Sequence, residues 1–182
     1  MIDSQKAEDE DLKQNLFEGE GISVYNITDW LGLVPIAVCL FFAVLGLIQW
    51  IKRKHILKVD FNILVLGGFY IVVMAIYVVF EIFVVNYRPV LINGCLEASY
   101  PSSTTTLVIC VMSSALIQFN LRLKNNFLKK SVVFIIIAFV VFMVLGRLIS
   151  GVHWVTDIIG GALISASLVQ MYKGIIMKTT EI

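Results

Sequence analysis

Reactive and chain-breaking side chains are scarce in this sequence, with two histidines, three cysteines and three prolines among 182 residues. Three cysteines do not make a disulfide framework. Cys39 and Cys110 fall inside apolar runs, where a cysteine is a small packing residue. Cys95 is alone in a polar loop and is expected as an unpaired thiol tucked against the rest of the chain. Neither histidine has the cysteines or further histidines beside it that a zinc site needs, so no metal or other cofactor is expected. The amino terminus lacks a basic stretch followed by a short apolar core and a cleavage site, which argues against a signal peptide. A nucleic-acid partner is not expected either.

Apolar residues, by contrast, make up 59% of the chain. Soluble domains run nearer half, so the composition points to a membrane protein. Five stretches reach or approach the ~20 residues that cross a bilayer: about 30–51, 61–85, 104–120, 131–147 and 153–173. The third and fourth are short and need polar turns at their ends, or an upright course, to span. The expected fold class is therefore all-α, a polytopic membrane helical bundle of about five transmembrane helices. No sequence repeat divides it. The expected organisation is an acidic outer segment over 1–29, the bundle over 30–173 and a cytoplasmic tail over 174–182.

Charge placement gives the orientation. Residues 1–29 hold eight of the thirteen acids against two lysines. This segment is expected to be solvated or partly ordered, with a short amphipathic helix around Leu12–Phe17 lying on the membrane. Lys52, Arg53, Lys54, Lys58, Arg122, Lys124, Lys129, Lys130, Lys173 and Lys178 all fall in loops on one side, which the positive-inside rule makes cytoplasmic. The N-terminus, the 86–103 loop and the 147–153 turn then share the outer side of the cell membrane. Trp30, Trp50 and Trp154 stand near the expected interfaces, as anchoring aromatics do.

After the acidic segment only two basic residues, Arg88 and Arg147, are left for that outer side. Arg88 closes the second span in "NYRP", with Pro89 stopping the helix. The following loop, "SYPSSTTTL", delivers Ser102, Ser103, Thr104, Thr105 and Thr106 to the start of the third span. Hydroxyls and free N–H groups at a helix start make an anion cradle. Arg147 closes the fourth span, and His153 and Asp157 open the fifth at an i, i+4 spacing, one face of a helix. A carboxylate accepting from one ring nitrogen would hold the imidazole tautomer and leave the other nitrogen free.

Each feature has an ordinary structural explanation: snorkelling arginines, Ser/Thr helix caps, an interfacial histidine. Their convergence on one face favours a site. Arginine forks bind phosphate oxygens, and a neutral imidazole can attack phosphorus to form a covalent intermediate. Gly160, Gly161, Ala162, Ser165, Ala166 and Ser167 would let the fifth span approach its neighbours closely, at the centre of the bundle.

These residues resemble the three-part signature of the type 2 phosphatidic acid phosphatase superfamily, which includes vanadium-dependent haloperoxidases. Its parts read K-x6-R-P, P-S-G-H and S-R-x5-H-x3-D. Here they are "EIFVVNYRP", "PSST" and "GRLISGVHWVTD", and the third, with both spacings intact, is the most specific. The resemblance spans about 61–173. It implies a helical bundle with the site at the outer face, His153 as nucleophile, Asp157 as its orienting partner, and Arg88, Arg147, Ser102 and the Ser103 N–H as phosphate ligands. Members commonly have six spans, so the acidic segment would take the place of one. Glu81 stands where the family has lysine, Thr104 where it has the histidine that protonates the leaving oxygen, and Gly146 where it has serine. Glu81 is expected to pair with Arg88 or Arg147, with a role as the missing acid as its other reading.

The implied activity is hydrolysis of a lipid-linked phosphate or diphosphate through a phosphohistidine. One rival is a catalytically impaired relative that binds a lipid headgroup or partner without turnover. Another is a small transporter or channel subunit, weakened by the lack of deep ionisable groups and broken helices.

Overall fold

The computed structural model describes residues 2–92 and 94–180. Seven helices follow in chain order: α1 (Ile2–Leu16), α2 (Ile22–Leu31), α3 (Leu33–Arg53), α4 (Phe61–Ile82), α5 (Ser103–Arg122), α6 (Asn126–Ile149) and α7 (Val155–Thr180). A π-helical turn, Phe17–Gly21, joins α1 to α2. Among the described residues five helical stretches are long and apolar enough to cross a membrane: Glu8–Arg53, Phe61–Ile82, Ser103–Arg122, Asn126–Ile149 and Val155–Lys178. The 21 residues of α3 rise about 31 Å, enough for a hydrocarbon core of ~30 Å. α5 and α6, the third and fourth spans, start before and end after the apolar runs at 104–120 and 131–147. Asn125 lengthens the latter by accepting from Phe127 N (2.8 Å) and Leu128 N (3.4 Å), which satisfies two of the helix's free donors.

The helical backbone runs through the expected boundary at residue 29 without a break. Beyond the apolar part of α3, α2 lies along the last turns of α6, and the π turn and α1 overhang the loops that follow. Phe17 is buried against Val90, Ile92 and Val152, Gln14 bonds the Leu91 backbone in both directions, and the Lys13 ammonium lies 5.2 Å from the centre of the Trp154 ring. Leu12 and Leu16 remain exposed. At the carboxyl end α7 passes through residue 174 as one helix; residues 181 and 182 of the expected tail lie outside the described residues.

The central helix is α5 rather than α7. Half of its apolar window is buried, against 28% or less for the other spans, and α7 packs along it as its most extensive partner. Small residues let α7 lie close to α5, and it also packs on α4 and α6, but less of it is buried than of α5, so it flanks the centre. One apolar cluster gathers Phe42, Leu66, Phe69, Ala115 and Tyr172; another gathers Val108, Met112, Ile136 and Met143. Buried polar groups in this part are paired, as a water-free interior demands: Tyr70 with Ser114 (3.2 Å), and Gln118 with the Tyr172 hydroxyl (2.5 Å). At the end that carries the basic loops, Asp60 joins Gln49 (2.8 Å), Arg53 (3.0 Å) and Arg122 (3.8 Å). The loop 83–102 and the turn 150–154 lie at the opposite end, together with Trp30 and the N-terminal overhang.

Candidate active site

Arg88 does not close a helix. α4 stops at Ile82, six residues earlier, and residues 86–99 fold back as a short hairpin. Arg88 N donates to Glu97 O (3.1 Å), Ser99 N to Asn86 O (2.8 Å), and Ile92 and Cys95 exchange a pair of bonds. Gly94, at φ 74°, turns the tip. The Arg88 side chain is thereby set largely inside, with Nη2 3.1 Å from Glu97 Oε2. Cys95, at the tip, is exposed rather than tucked in.

The loss of helix also separates Glu81 from Arg88. Glu81 is exposed near the end of α4, and among the described residues it has no ion-pair partner. The carboxylates beside the arginines are Glu97 for Arg88 and Asp29 for Arg147. Arg147, 3% exposed, holds Asp29 Oδ1 at 3.0 Å, and its guanidinium lies 5.0 Å from the centre of the Tyr25 ring.

Ser102 is the residue before α5, yet its hydroxyl caps nothing. Its backbone N donates instead to Asp157 O (3.1 Å), which ties the start of α5 to the first turn of α7. Gly161 permits the approach, because a Cβ there would sit 3.0 Å from Thr106 Oγ1 and 3.2 Å from Ser102 O. The first N–H groups of α5, from Ser103 onward, have no intrahelical acceptor. Thr104 occupies that turn half-buried.

Gly151, at φ 71°, reverses the chain after α6, and His153 follows in the turn, two residues ahead of α7. It is therefore not stacked one helical turn from Asp157. His153 Nδ1 lies 4.0 Å from Asp157 Oδ2, beyond hydrogen-bond range. Ser99 fills the gap: its hydroxyl is 3.1 Å from His153 Nδ1 and donates to Asp157 Oδ2 at 2.5 Å. Asp157 Oδ2 also accepts from Trp154 N (3.0 Å), the reach-back bond of a helix start. All three side chains are buried.

The proton positions follow from counting. A hydroxyl has one proton, and an ionised carboxylate only accepts. Since the Ser99 proton goes to Asp157, Ser99 Oγ must accept from His153 Nδ1–H, which leaves Nε2 with its lone pair. Burial, and then the positive charges of Arg88 and Arg147, push the His153 pKa down to about 3, with an interaction with the Ser99 backbone opposing. The ring is thus neutral at ordinary pH. Ser99 escaped the sequence reading. It heads the hydroxyl loop, three residues before Ser102, and only the tertiary fold carries it to the histidine.

Around this relay stand buried polar atoms without partners: Nε and Nη1 of Arg88, Nε of Arg147, the hydroxyls of Ser102 and Thr105, and one carboxylate acceptor, Asp157 Oδ1. Native interiors leave few such groups. Here they are almost all donors, and both guanidinium charges reach the His153 ring. The set suits a tetrahedral oxyanion. Among the described residues no three His, Cys, Asp or Glu side chains are grouped as metal ligands. A cavity of about 480 Å³ borders His153, walled mostly by apolar residues, among them Leu16, Phe17, Val24 and Val90, with Lys13 and Glu20 also lining it.

Together the bundle and this donor set define a polytopic, membrane-type helical protein with a cluster of unpartnered buried donors at one end. The segment that carries the motifs places it more narrowly: the model of the PAP2 superfamily matches residues 62–180, and the chain belongs to that superfamily. No curated protein matches the chain. Among solved structures it is similar to one described as the first transmembrane PAP2 type phosphatidylglycerolphosphate phosphatase from Bacillus subtilis. The TM-score is 0.63 and the identity 22%, over 96% of this chain and 87% of that one. A lipid phosphatase-like role follows from the family.

Proposed function

We propose that this protein hydrolyses a lipid-linked phosphate or diphosphate at the outer face of the cell membrane, with His153 as the nucleophile. The carrying observation is the coincidence of a neutral, oriented His153 with unpaired donors from Arg88, Arg147 and Ser102. The orientation rests on the basic loops at the opposite end. The apolar walls of the cavity beside His153 support a lipid rather than a soluble ester.

In this reading the arginines, the Ser102 hydroxyl and the Ser103 N–H bind the phosphoryl oxygens and stabilise charge as it spreads over them. Nε2 of His153 forms a bond to phosphorus while the bond to the leaving oxygen breaks, and that oxygen keeps the electron pair. The imidazole becomes cationic on phosphorylation, and Ser99 and Asp157 stabilise it. Water then attacks phosphorus, the N–P bond breaks with its electrons returning to Nε2, and inorganic phosphate leaves.

Thr104 cannot protonate the leaving oxygen as a histidinium would, and such help is worth ~10²–10⁴-fold. A lipid diphosphate, whose leaving group is itself a phosphate anion, is the substrate least harmed. The same substitution favours a second reading, in which the protein binds a lipid phosphate headgroup without turnover. Phosphate release by detergent-purified protein from a prenyl diphosphate and from phosphatidic acid, beside His153→Ala, separates them. Release that disappears in the variant supports the enzyme. No release from either lipid by folded protein supports the binding reading.

A further inference from the structure

The family match begins at residue 62, so α1 to α3 lie outside it, yet one of the phosphate-site arginines is gripped from there. Tyr25, Thr28 and Asp29 lie at i, i+3 and i+4, on one face of α2, and that face meets the last turns of α6. Arg147 receives two contacts from it. Asp29 Oδ1 takes Nη2 at 3.0 Å, and the Tyr25 ring lies 5.0 Å from the guanidinium carbon. A guanidinium is planar and rigid, so a carboxylate on one nitrogen and an aromatic ring against the group restrict its rotation. Its Nε is then held in place, buried and unpaired.

The neighbouring residue explains how α2 comes so near. Thr28 is fully buried, and its hydroxyl is occupied by Val24 O and Tyr25 O, both at 2.9 Å, so its methyl group is what faces α6. A Cβ on Gly146 would lie 2.5 Å from that methyl. The family's serine at this position could not coexist with Thr28 at the present helix separation.

We infer that the N-terminal helix is a working part of the phosphate site: Asp29 and Tyr25 are positioning residues for Arg147, and Gly146 is glycine so that they can reach it. The inference rests on Arg147 binding phosphate as proposed above. It also gives the sign of a charge effect. Asp29 is 60% exposed and Arg147 only 3%, so water screens the carboxylate from the site while its bond still holds a buried cation. Removing the charge therefore weakens anion binding; a carboxylate that merely neutralised Arg147 would do the opposite.

The test is isothermal titration of full-length protein in detergent with tungstate, a tetrahedral dianion that stands in for phosphate. Asp29→Asn is expected to weaken binding about tenfold, Asp29→Glu to recover most of the loss, and Tyr25→Leu to weaken it a few-fold. Gly146→Ala is expected to weaken it as Asp29→Asn does, and Thr28→Ser in the same chain to restore it, because that change removes the methyl and keeps the hydroxyl. Glu10→Gln, exposed on α1, should leave binding unchanged. Equal or tighter binding by Asp29→Asn overturns the inference, as does a Gly146→Ala loss that Thr28→Ser fails to repair. No tungstate binding by the unaltered protein would instead overturn the phosphate-site reading on which it rests. A Gly146→Ala protein that does not fold leaves the Asp29 pair to decide.

Discussion

Replacing Ser99 by alanine tests the relay between His153 and Asp157. The variant removes one oxygen and leaves the ring Nδ1 facing a carboxylate 4.0 Å away, too far for a hydrogen bond. A buried N–H left without an acceptor costs ~1–3 kcal/mol. The ring can escape that cost by moving its proton to Nε2, and the productive tautomer then loses population. Converted at ~1.4 kcal/mol per tenfold, the loss in kcat/KM is roughly 5- to 150-fold. Lipid phosphate hydrolysis by purified protein gives the rate, and nitrogen-15 NMR of labelled histidine gives the tautomer, Nδ1-protonated in the parent and mixed in the variant. A rate within twofold of the parent, with the tautomer unchanged, would refute the reasoning, because Asp157 would then reach the ring directly and Ser99 would be only packing.

Further outcomes follow from the His153 environment and from other parts of the structure. His153 should stay neutral from pH 8 to pH 5 in an NMR titration, since its pKa is pushed down to about 3. Because the unfolded chain binds that proton near 6.5, stability should fall as pH drops from 6.5 toward 3, and thermal melting of His153→Gln should fall less over the same window. Thr104→His should raise turnover of phosphatidic acid by about 10- to 100-fold, a part of full general-acid help, and change prenyl diphosphate turnover little. Phe17→Ala, which empties the small cluster with Val90, Ile92 and Val152, should cost ~3 kcal/mol, read as a lower melting temperature. Cys95, exposed at the hairpin tip, should react with a membrane-impermeant maleimide on intact cells; labelling only after lysis would place the site on the cytoplasmic side.

The apolar runs carried most of the fold, because crossing a bilayer constrains length and composition more than any soluble core does. The motif residues were legible for a related reason: two arginines, a hydroxyl loop and a histidine can meet only if topology brings the connections at one end of the bundle together. What was not legible depended on tertiary contacts. Nothing local marks Ile82 as the end of α4, since "FVVNY" continues the apolar pattern; the hairpin pairing with residues 95–99 overrides it. The i, i+4 spacing of His153 and Asp157 suggested a helical contact, but the helix begins after His153, so a third residue bridges them. The acidic composition of residues 1–29 suggested a separate segment. Tyr25, Thr28 and Asp29 have no motif of their own and acquire meaning only beside Gly146 and Arg147.

The three departures from the family signature then have different physical standing. Gly146 is matched by Thr28, a compensation within the same contact, so it says nothing against activity. Glu81 has moved out of the site with the unwinding of the chain after α4, and the positive charge the family lysine would bring is absent there. Thr104 removes a proton donor from the same reaction. These last two changes act in one direction: the groups proposed to hold phosphoryl oxygens, Arg88, Arg147 and Ser102, persist, while a cation and an acid have both gone. A site altered in this way still favours charge building up on the phosphoryl group but does little for an alkoxide. A substrate whose leaving oxygen needs no proton reconciles the retained residues with the lost ones, and the Thr104→His variant would show it by gaining on phosphatidic acid alone.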